Sequence, residues 1–378
     1  MPVAVVDFFS GCGGASAGLQ AAGMQIVLGL DNDPDAATTF RANFPDATFI
    51  NQDIREVATE TLRPLLERHA GQPLLFSGCA PCQPFSRQNR GRSDGDERAF
   101  LIAEFGRFVT AYQPHFIFVE NVPHGPQQPR QLDQPLRLPQ PFQDFIDLLT
   151  TLGYQHVLRR ICAQEYGVPQ RRERLVLVAS RFGKPLFPEP THGPGAPNPT
   201  YGSVWEWIGD LPPIAAGEEH PLIPNHRSSN LSPLNMRRIE AISEGGSRRD
   251  WPDELRLNCH RGTYGGHSDV YGRLRKDQPA SGLTTRCISL SNGRFGHPTQ
   301  DRALSVREAA CLQTFPRQFI FHGSLNAMAR QVGNAVPVLL AQRFGECFLR
   351  TLELEVGAEE VESDTQEISH IDDSGGVG

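Results

Sequence analysis

Two cysteines three positions apart are the first residues in the sequence whose spacing could support chemistry. Cys79 and Cys82 lie in FSGCAPCQPFS, directly after the apolar run PLLF. A zinc site needs about four ligands, and the chain has no second C-x-x-C pair to complete one. A disulfide-exchange pair usually has its first cysteine opening a helix, whereas Pro81 and Pro84 flank Cys82 and disfavour helical geometry there. These observations favour one nucleophile, Cys82, on a rigid turn, with Cys79 as a small buried neighbour.

Activation of Cys82 requires positive charge nearby, because a free thiol with a pKa of about 8.5 is only a few per cent thiolate at neutral pH. Arg87, Arg90 and Arg92 follow in PFSRQNRGRSDGDER, a long polar stretch suited to a loop that closes over a substrate. The redox alternative stays open to test, since it predicts that Cys79→Ser is as damaging as Cys82→Ser.

Three further charged residues lie at the ends of apolar runs. Glu120 follows HFIFV, and a carboxylate at the end of a buried strand is costly unless it is paired or used. It is therefore either a capping residue or a catalytic one. Arg172 and Arg174 alternate into the run LVLV, so their side chains share one face of a strand. They could converge on a common anion, or they could form a charged strand edge at the surface.

The stretch DFFSGCGGASAGL at 7–19 predicts a strand, a glycine-rich turn and a helix of small residues. Such a turn lets the backbone approach a ligand closely. Its G-x-G-G spacing departs from G-x-G-x-x-G, so a dinucleotide pyrophosphate is not favoured. Asp31 ends the next strand, where ribose hydroxyls are held in such folds, and Asp53 ends a further one. The three features together indicate a nucleoside-bearing cofactor, although each acid alone could be a helix cap or a turn former.

The elements that must position these residues alternate along the first 180 positions, which predicts an α/β fold with a parallel sheet. Unbroken apolar runs such as VAVV, LLF, FIFV and LVLVA are typical of buried parallel strands. The predicted strands are 3–9, 25–31, 73–77, 115–120 and 174–180. The predicted helices lie near 14–22, 34–43, 56–69, 98–112 and 142–152. Residues 123–141, rich in Pro and Gln, predict a surface excursion.

The net charge of −7 conceals two opposite regions. Nine acids and no Lys or Arg lie between Glu353 and the carboxyl end, so the remainder carries +2. Residues 227–302 hold thirteen basic residues against eight acids, which predicts a surface for a polyanion in the later part of the chain. The chain has no apolar run of about 18 residues and no signal peptide pattern, so we expect a cytoplasmic protein without membrane contact. The eight cysteines are irregularly spaced, as reduced thiols are.

Taken in order, these segments resemble the cytosine-5 DNA methyltransferases that use S-adenosylmethionine. The matching segments are DFFSGCGG, GCAPCQPFS, ENV, QRRER, RALSVREAACLQTFP and QVGNAVP. The resemblance implies a Rossmann-like S-adenosylmethionine-dependent methyltransferase sheet with a smaller, irregular target-recognition domain. It places the catalytic and cofactor-binding domain at 1–185, completed by 303–352, and target recognition at 190–302. The acidic tail, 353–378, is expected to be disordered.

The resemblance also implies a role for each catalytic candidate. In this family the cysteine of the Pro-Cys-Gln turn attacks C6 of cytosine, which implies Cys82 here. The glutamate of Glu-Asn-Val holds the N3 and N4 edge of the base, which implies Glu120. The two arginines of Gln-x-Arg-x-Arg assist at the base and at the active-site loop, which implies Arg172 and Arg174.

The cofactor-binding residues implied by the resemblance come from four segments. They are Phe9, Ser10, Gly11, Cys12, Gly13, Gly14, Asp31, Asn32, Asp53, Ile54, Asn334 and Ala335. One position departs from the family, because a large side chain that stacks on adenine often stands where this chain has Asn32. No metal is expected.

The substrate implied is a cytosine flipped out of duplex DNA, since a base inside the duplex cannot be reached. The expected DNA contacts are Ser86, Arg87, Gln88, Arg248, Arg249, Arg261, Arg273 and Arg275. We expect a monomer, with a restriction endonuclease as a possible separate partner. The alternatives are the tRNA-modifying branch, whose Cys-Phe-Thr signature is not found here, and a binding module without chemistry.

Overall fold

The computed structural model describes residues 2–80, 101–123, 138–258 and 269–372, with side chains as far as residue 355. A seven-stranded sheet lies at its centre. The sheet consists of β1 (Ala4–Phe8), β2 (Gln25–Leu30), β3 (Thr48–Ile50), β4 (Leu74–Gly78), β5 (Phe116–Asn121), β6 (Gln155–Cys162) and β8 (Glu173–Ser180). A second, two-stranded sheet pairs β7 (Gln170–Arg171) with β9 (Ala280–Ser281).

The first five described helices alternate with the strands along the chain, and the last helix packs against the first. The described helices are α1 (Gly14–Ala21), α2 (Pro34–Asn43), α3 (Arg63–Glu67), α4 (Leu101–Tyr112), α5 (Gln140–Thr151), α6 (Val204–Ile208), α7 (Pro233–Glu240), α8 (Val306–Leu312), α9 (Leu325–Asn334) and α10 (Val338–Asp372). Within the described residues, no helix is both long and apolar enough to cross a membrane.

The strand order in the large sheet is β3-β2-β1-β4-β5-β8-β6. Strands β1 to β5 run parallel, and the chain changes direction across the sheet between β1 and β4. Open α/β sheets bind ligands beyond the carboxyl ends of their strands at such a switch point. The topology therefore places the predicted glycine-rich turn, which follows β1, beside the end of β4.

Neighbouring residues along the central strands enter two different cores, one on each face of the sheet. Val5 and Phe118 pack into one core, whereas Val6 and Ile117 pack into the other. Because side chains alternate between faces, a strand covered on both sides has to be apolar at every position. This explains the unbroken apolar runs from which the strands were predicted.

The structure corrects two of these predictions. The run LVLVA in β8 is buried but antiparallel to both neighbours, β5 and β6. Antiparallel neighbours need no crossover helix, and β6 is joined to β8 through the short segment 163–172. Strand β6 was not predicted, because it is only partly buried and carries Arg159 and Arg160 instead of an apolar run.

The predicted helix at 56–69 is instead broken into short turns. Two 3₁₀ turns, Ile54–Glu56 and Thr59–Leu62, precede α3. Pro64 lies in the first turn of α3, where its missing N–H costs nothing, whereas in a longer helix that missing donor would break the hydrogen-bond ladder.

The carboxyl-terminal helices pack against the start of the chain. Helices α1 and α10 cross closely because glycines face the partner helix at Gly18 and Gly345. The backbone of α10 is helical as far as Asp372, which includes most of the tail for which disorder is predicted. Glutamate is a good helix former, and the segment after Gly357 contains no Pro or Gly as far as Asp372.

The region 190–302 contains little regular structure but has a small core of its own. Ile239, Trp251, Leu255 and Tyr271 pack together there, and the guanidinium of Arg238 lies 5.1 Å from the centroid of a Trp251 ring. This agrees with the poor periodicity of the sequence in this region.

Replacing Gly18 with Ala should loosen the packing of α1 on α10. An added Cβ would lie 2.2 Å from the carbonyl oxygen of Val338, so the backbones have to separate. We expect the free energy of unfolding, measured in urea, to fall by about 1–3 kcal/mol, the usual cost of overpacking. Gly202→Ala is the matched control, because its nearest atom would be 3.4 Å away. Equal losses in the two variants would contradict the close crossing.

Candidate active site

A cavity of about 620 Å³ opens at the carboxyl ends of the central strands. Eleven of the residues predicted from the sequence line it: Phe9, Ser10, Gly11, Cys12, Gly14, Asp31, Glu120, Arg172, Arg174, Asn334 and Ala335. The fold thus brings the predicted catalytic and cofactor-binding residues from five separate segments to one place.

The glycine-rich turn after β1 forms one wall of the cavity. Gly11 and Gly13 have φ angles of +52° and +94°, a conformation that side chains disfavour. At Gly14 a Cβ would lie 2.6 Å from the carbonyl oxygen of Val336, so only glycine allows the α9–α10 segment to approach. The turn therefore needs glycine both for its shape and for the close contact with the end of the chain.

Asp31 connects this turn to the end of β2. Its Oδ2 accepts a hydrogen bond of 2.9 Å from the backbone N–H of Gly11, and its Oδ1 accepts one of 2.9 Å from that of Asp33. Burial raises the pKa of Asp31. The carboxylate is thus held in position at the cavity by two backbone donors.

Four predicted cofactor residues do not line the cavity. Asp53 pairs with Arg55 at 2.8 Å, and this hydrogen-bonded arginine lowers the pKa of Asp53. Asn32 is exposed, Ile54 is buried in the core, and Gly13 packs against aromatic rings behind the turn. All four residues lie outside the lining of the cavity.

Glu120 ends β5 and forms a buried ion pair with Arg174 of β8. Arg174 Nε lies 2.5 Å from Glu120 Oε1, and the two side chains are 12% and 9% exposed. Arg174 also donates from Nη1 to the carbonyl oxygen of Glu173 at 2.7 Å. The guanidinium charge therefore compensates a carboxylate that would be costly to bury alone.

The sequence suggested that Arg172 and Arg174 could converge on one anion, but Arg172 contacts backbone carbonyl groups instead. Its terminal nitrogens donate to the carbonyl oxygens of Leu283 at 2.9 Å, Gly333 at 3.1 Å and Ala335 at 3.2 Å. Arg172 lines the cavity, but these contacts join the segment between β7 and β8 to two distant segments, whereas Arg174 pairs with Glu120.

Asp7 is a residue that sequence reasoning missed. Its Oδ2 accepts a 2.6 Å hydrogen bond from Ser16, whereas Oδ1 has no hydrogen-bond partner among the described residues. Burial raises the pKa of Asp7 to about 6. Ser10 Oγ and Gln331 Oε1 also line the cavity without a hydrogen-bond partner in the described part of the chain. The signal for Asp7 and Gln331 was their position in the motifs DFFSGCGG and QVGNAVP.

The two cysteines at the cavity are protonated thiols. Burial, followed by the negative charge of Glu120, raises the pKa of Cys79, and burial raises that of Cys12. Cys82 lies outside the described residues, but Ala80, two positions earlier, lines the cavity. Within the described ranges no group of three His, Cys, Asp or Glu side chains is placed to hold a metal.

A family model for the C-5 cytosine-specific DNA methylases matches residues 3–349. The chain belongs to this family. Type II methylase M.HgiDII of Herpetosiphon aurantiacus is 38% identical to this methylase over 355 residues, which cover 93% of this chain and 96% of the relative. Type II methyltransferase M1.HphI of Haemophilus parahaemolyticus is 34% identical and covers 93% of this chain and 87% of its own length.

The fold of the methylase is shared with solved structures. A DNA modification methyltransferase encoded within an Escherichia coli prophage aligns with a TM-score of 0.67 at 21% sequence identity, covering 93% of this chain and 99% of the other. The architecture is therefore the Rossmann-like methyltransferase sheet that the motifs implied.

One predicted DNA contact of the methylase is wrong. Arg273 is 4% exposed, and its donors are used inside the protein. They contact the carbonyl oxygens of Ile239, Ile242, His297 and Gln300 and the carboxylate of Asp301. A fully hydrogen-bonded, buried guanidinium supports the small core and cannot reach DNA.

The other predicted DNA contacts divide into two groups. Arg249 and Arg275 are exposed and Arg248 is half-buried, so all three stay candidates. Ser86, Arg87, Gln88 and Arg261 lie outside the described residues.

Asp7 should make the stability of the cofactor-free methylase depend on pH. Between about pH 4 and 6 the unfolded chain releases this proton while the folded chain keeps it, so stability falls as pH rises. Asp7→Asn removes this loss and keeps an oxygen for Ser16. We expect the variant to gain about 3 kcal/mol in unfolding free energy relative to the parent between pH 4 and pH 7.5, from a pKa difference of roughly two. Urea unfolding at both pH values tests this, and a constant difference would contradict it.

Proposed function

We propose that this methylase transfers a methyl group from S-adenosylmethionine to C5 of a cytosine flipped out of a specific duplex DNA sequence, with Cys82 as the nucleophile. Membership of the C-5 cytosine-specific DNA methylase family supports the class of reaction. One observation supports the assignment of residues: the Glu120–Arg174 pair, the glycine-rich turn and Ala80 line a single cavity. Cys82 follows Ala80 by two residues in the sequence, and the alternative thiols nearby are protonated.

The cavity has the chemistry that S-adenosylmethionine needs. This cofactor carries a positive sulfonium and an ammonium group, together with ribose hydroxyls that donate hydrogen bonds. The lining offers acceptors in Asp7, Ser10 and Gln331 that have no hydrogen-bond partner among the described residues, and the carboxylate of Asp31 beside them. Buried acceptors without partners are costly, and a cationic ligand rich in donors would satisfy them. We assign cofactor binding to the residues of the glycine-rich turn that line the cavity, and to Asp31, Asn334 and Ala335.

The residues of the chain make C5 reactive. The thiolate of Cys82 forms a bond to C6, and the displaced electron pair moves toward C5 and N3. Glu120, beside Arg174, hydrogen bonds the N3 and N4 edge. It takes up a proton from solvent as the base binds and gives that proton to N3 as the charge develops. When bound, S-adenosylmethionine supplies the electrophilic methyl group that the enriched C5 accepts. Water in the cavity, acting as a base, then takes the C5 proton. The electron pair re-forms the C5–C6 double bond and expels the Cys82 thiolate, and N3 returns its proton to Glu120.

Arg172 acts as a positioning residue in this proposal. Its carbonyl contacts hold the segments around Leu283 and Gly333 against the strand that carries Arg174. Target recognition is assigned to 190–302, with exposed Arg249 and Arg275 toward the DNA. We further propose that the methylase is a cytoplasmic monomer and that any restriction endonuclease acts separately.

The DNA substrate is preferred over tRNA because the chain belongs to the DNA methylase family and its relatives are named as Type II methyltransferases. The same cavity chemistry would serve a cytosine in either nucleic acid. The difference therefore lies in the recognition region and has to be measured with both substrates.

Covalent trapping tests the nucleophile. With S-adenosylmethionine present, a duplex containing 5-fluorocytosine at target positions should form an adduct with the methylase that survives denaturation. After methyl transfer, the fluorine at C5 cannot leave as a proton does. We expect Cys82→Ser to abolish the adduct and Cys79→Ser to keep most of it, since Cys79 is a protonated thiol. Mass spectrometry of the tryptic adduct identifies the attacking sulfur. Equal loss in both variants would instead support the redox alternative.

Methylation mapping tests the substrate. Expression in cells that lack cytosine-5 methylation should produce 5-methylcytosine within one short sequence motif of the genome, detected by bisulfite sequencing. Cells expressing Cys82→Ser are the matched control and should show none. The tRNA of the same cells, sequenced in the same way, should be unchanged. Methylation found only in tRNA would overturn the DNA assignment.

A further inference from the structure

The turn that follows the two-stranded sheet brings a cation to the active-site cavity. Thr284 and Thr285 line the cavity, and Arg286 is the next residue in the chain. The backbone N–H of Cys287 donates to the carbonyl oxygen of Thr284 at 3.0 Å and closes the turn. Arg286 therefore lies at the tip of a tight turn whose preceding residues face the reaction site.

This turn is held from both sides, so its position is well defined. On one side, Leu283 donates its N–H to Gln170 at 2.8 Å and accepts from Arg172 at 2.9 Å. On the other, Cys287 is fully buried and its thiol lies 3.7 Å from the carbonyl oxygen of Ala329. The contacts fix the backbone of the turn without involving the side chain of Arg286.

The guanidinium of Arg286 is available for a ligand. The residue is exposed, and its side chain makes no hydrogen bond or ion pair with any other described residue. By contrast, Arg172, Arg174 and Arg330, the arginines in the cavity lining, are already engaged with carbonyls or carboxylates. A partnerless arginine on a rigid turn is preorganised to receive an anion, because binding costs it little backbone order.

We infer that Arg286 binds a phosphate next to the flipped-out cytosine and so holds the DNA backbone at the mouth of the cavity. This inference rests on the proposed function. A base inside the cavity remains joined through its sugar to two phosphates, and these have to lie near the mouth. Arginine matches phosphate through two parallel N–H donors. Arg286 is a positioning residue, and it belongs to the basic region whose charge predicted a polyanion surface.

The test measures how DNA binding depends on salt, with a duplex that contains the mapped recognition sequence. Each phosphate contact contributes about 0.9 to the slope of log K against log salt. We expect Arg286→Gln to weaken binding about tenfold at low salt and to make the slope shallower by about 0.9. Arg286→Lys should keep most of the slope. Arg68→Gln is the matched control, since Arg68 is also exposed but, unlike Arg286, does not adjoin a residue that lines the cavity.

A second measurement identifies the phosphate. Methylphosphonate replaces, one at a time, the two phosphates that flank the target cytosine. At one of these phosphates, the replacement should reduce the affinity of the parent about as much as Arg286→Gln reduces affinity for unmodified DNA. The same replacement should reduce the affinity of the Arg286→Gln variant little further. The inference would be overturned if, at both phosphates, the affinity losses from Arg286→Gln and from methylphosphonate simply multiplied, as for independent changes. An unchanged salt slope would also overturn it. If the parent also fails to be trapped on 5-fluorocytosine DNA, the proposed function itself is wrong.

Discussion

The cavity depends on a buried polar network centred on Arg172. Arg172 and Gln170, which lies two residues earlier in β7, hold the segments around Leu283, Gly333 and Ala335 through backbone contacts. Gln313, which directly follows α8, joins them. These groups come from parts of the chain separated by more than a hundred residues. In a water-poor interior each lost partner leaves an unsatisfied donor or acceptor, so the network specifies one arrangement of the segments.

Close backbone packing complements this network. Gly14, Gly18 and Gly333 each lie where a Cβ would meet backbone atoms of another segment. Hydrogen bonds set the register of the carboxyl-terminal segments, and the glycines set their distance. The result is that residues before 20 and after 330 share one wall of the cavity, although the recognition region lies between them in the chain.

Charge is distributed to suit two ligands of opposite sign. The cavity lining contains four acids, Asp7, Asp31, Asp33 and Glu120. Asp33 and Glu120 pair with Arg330 and Arg174, whereas Asp7 and Asp31 have no arginine partner among the described residues. This suits the cationic cofactor proposed here. Basic side chains concentrate instead in 227–302, and Arg286 brings that character to the cavity edge. The separation lets one small site hold a positive cofactor while a polyanion approaches its mouth.

Sequence patterns and tertiary structure contributed different kinds of information. Burial of β1, β4, β5 and β8 was readable from apolar runs, since strands covered on both faces allow few polar residues. The direction of β8 was not readable, because an apolar run is the same in either orientation. The buried role of Arg273 was also hidden, as its partners are mostly carbonyl groups that every residue type possesses.

The sequence by itself determined the family, the reaction class and the segments that carry the chemistry, because the motifs are short, local and tied to particular side chains. Only the tertiary structure decided that Arg174 pairs with Glu120 while Arg172 binds carbonyl groups, and that Asp7 lies buried at the cavity. Such contacts join residues distant in the chain, and their geometry depends on how strands and helices pack in three dimensions, which spacing along the sequence does not record.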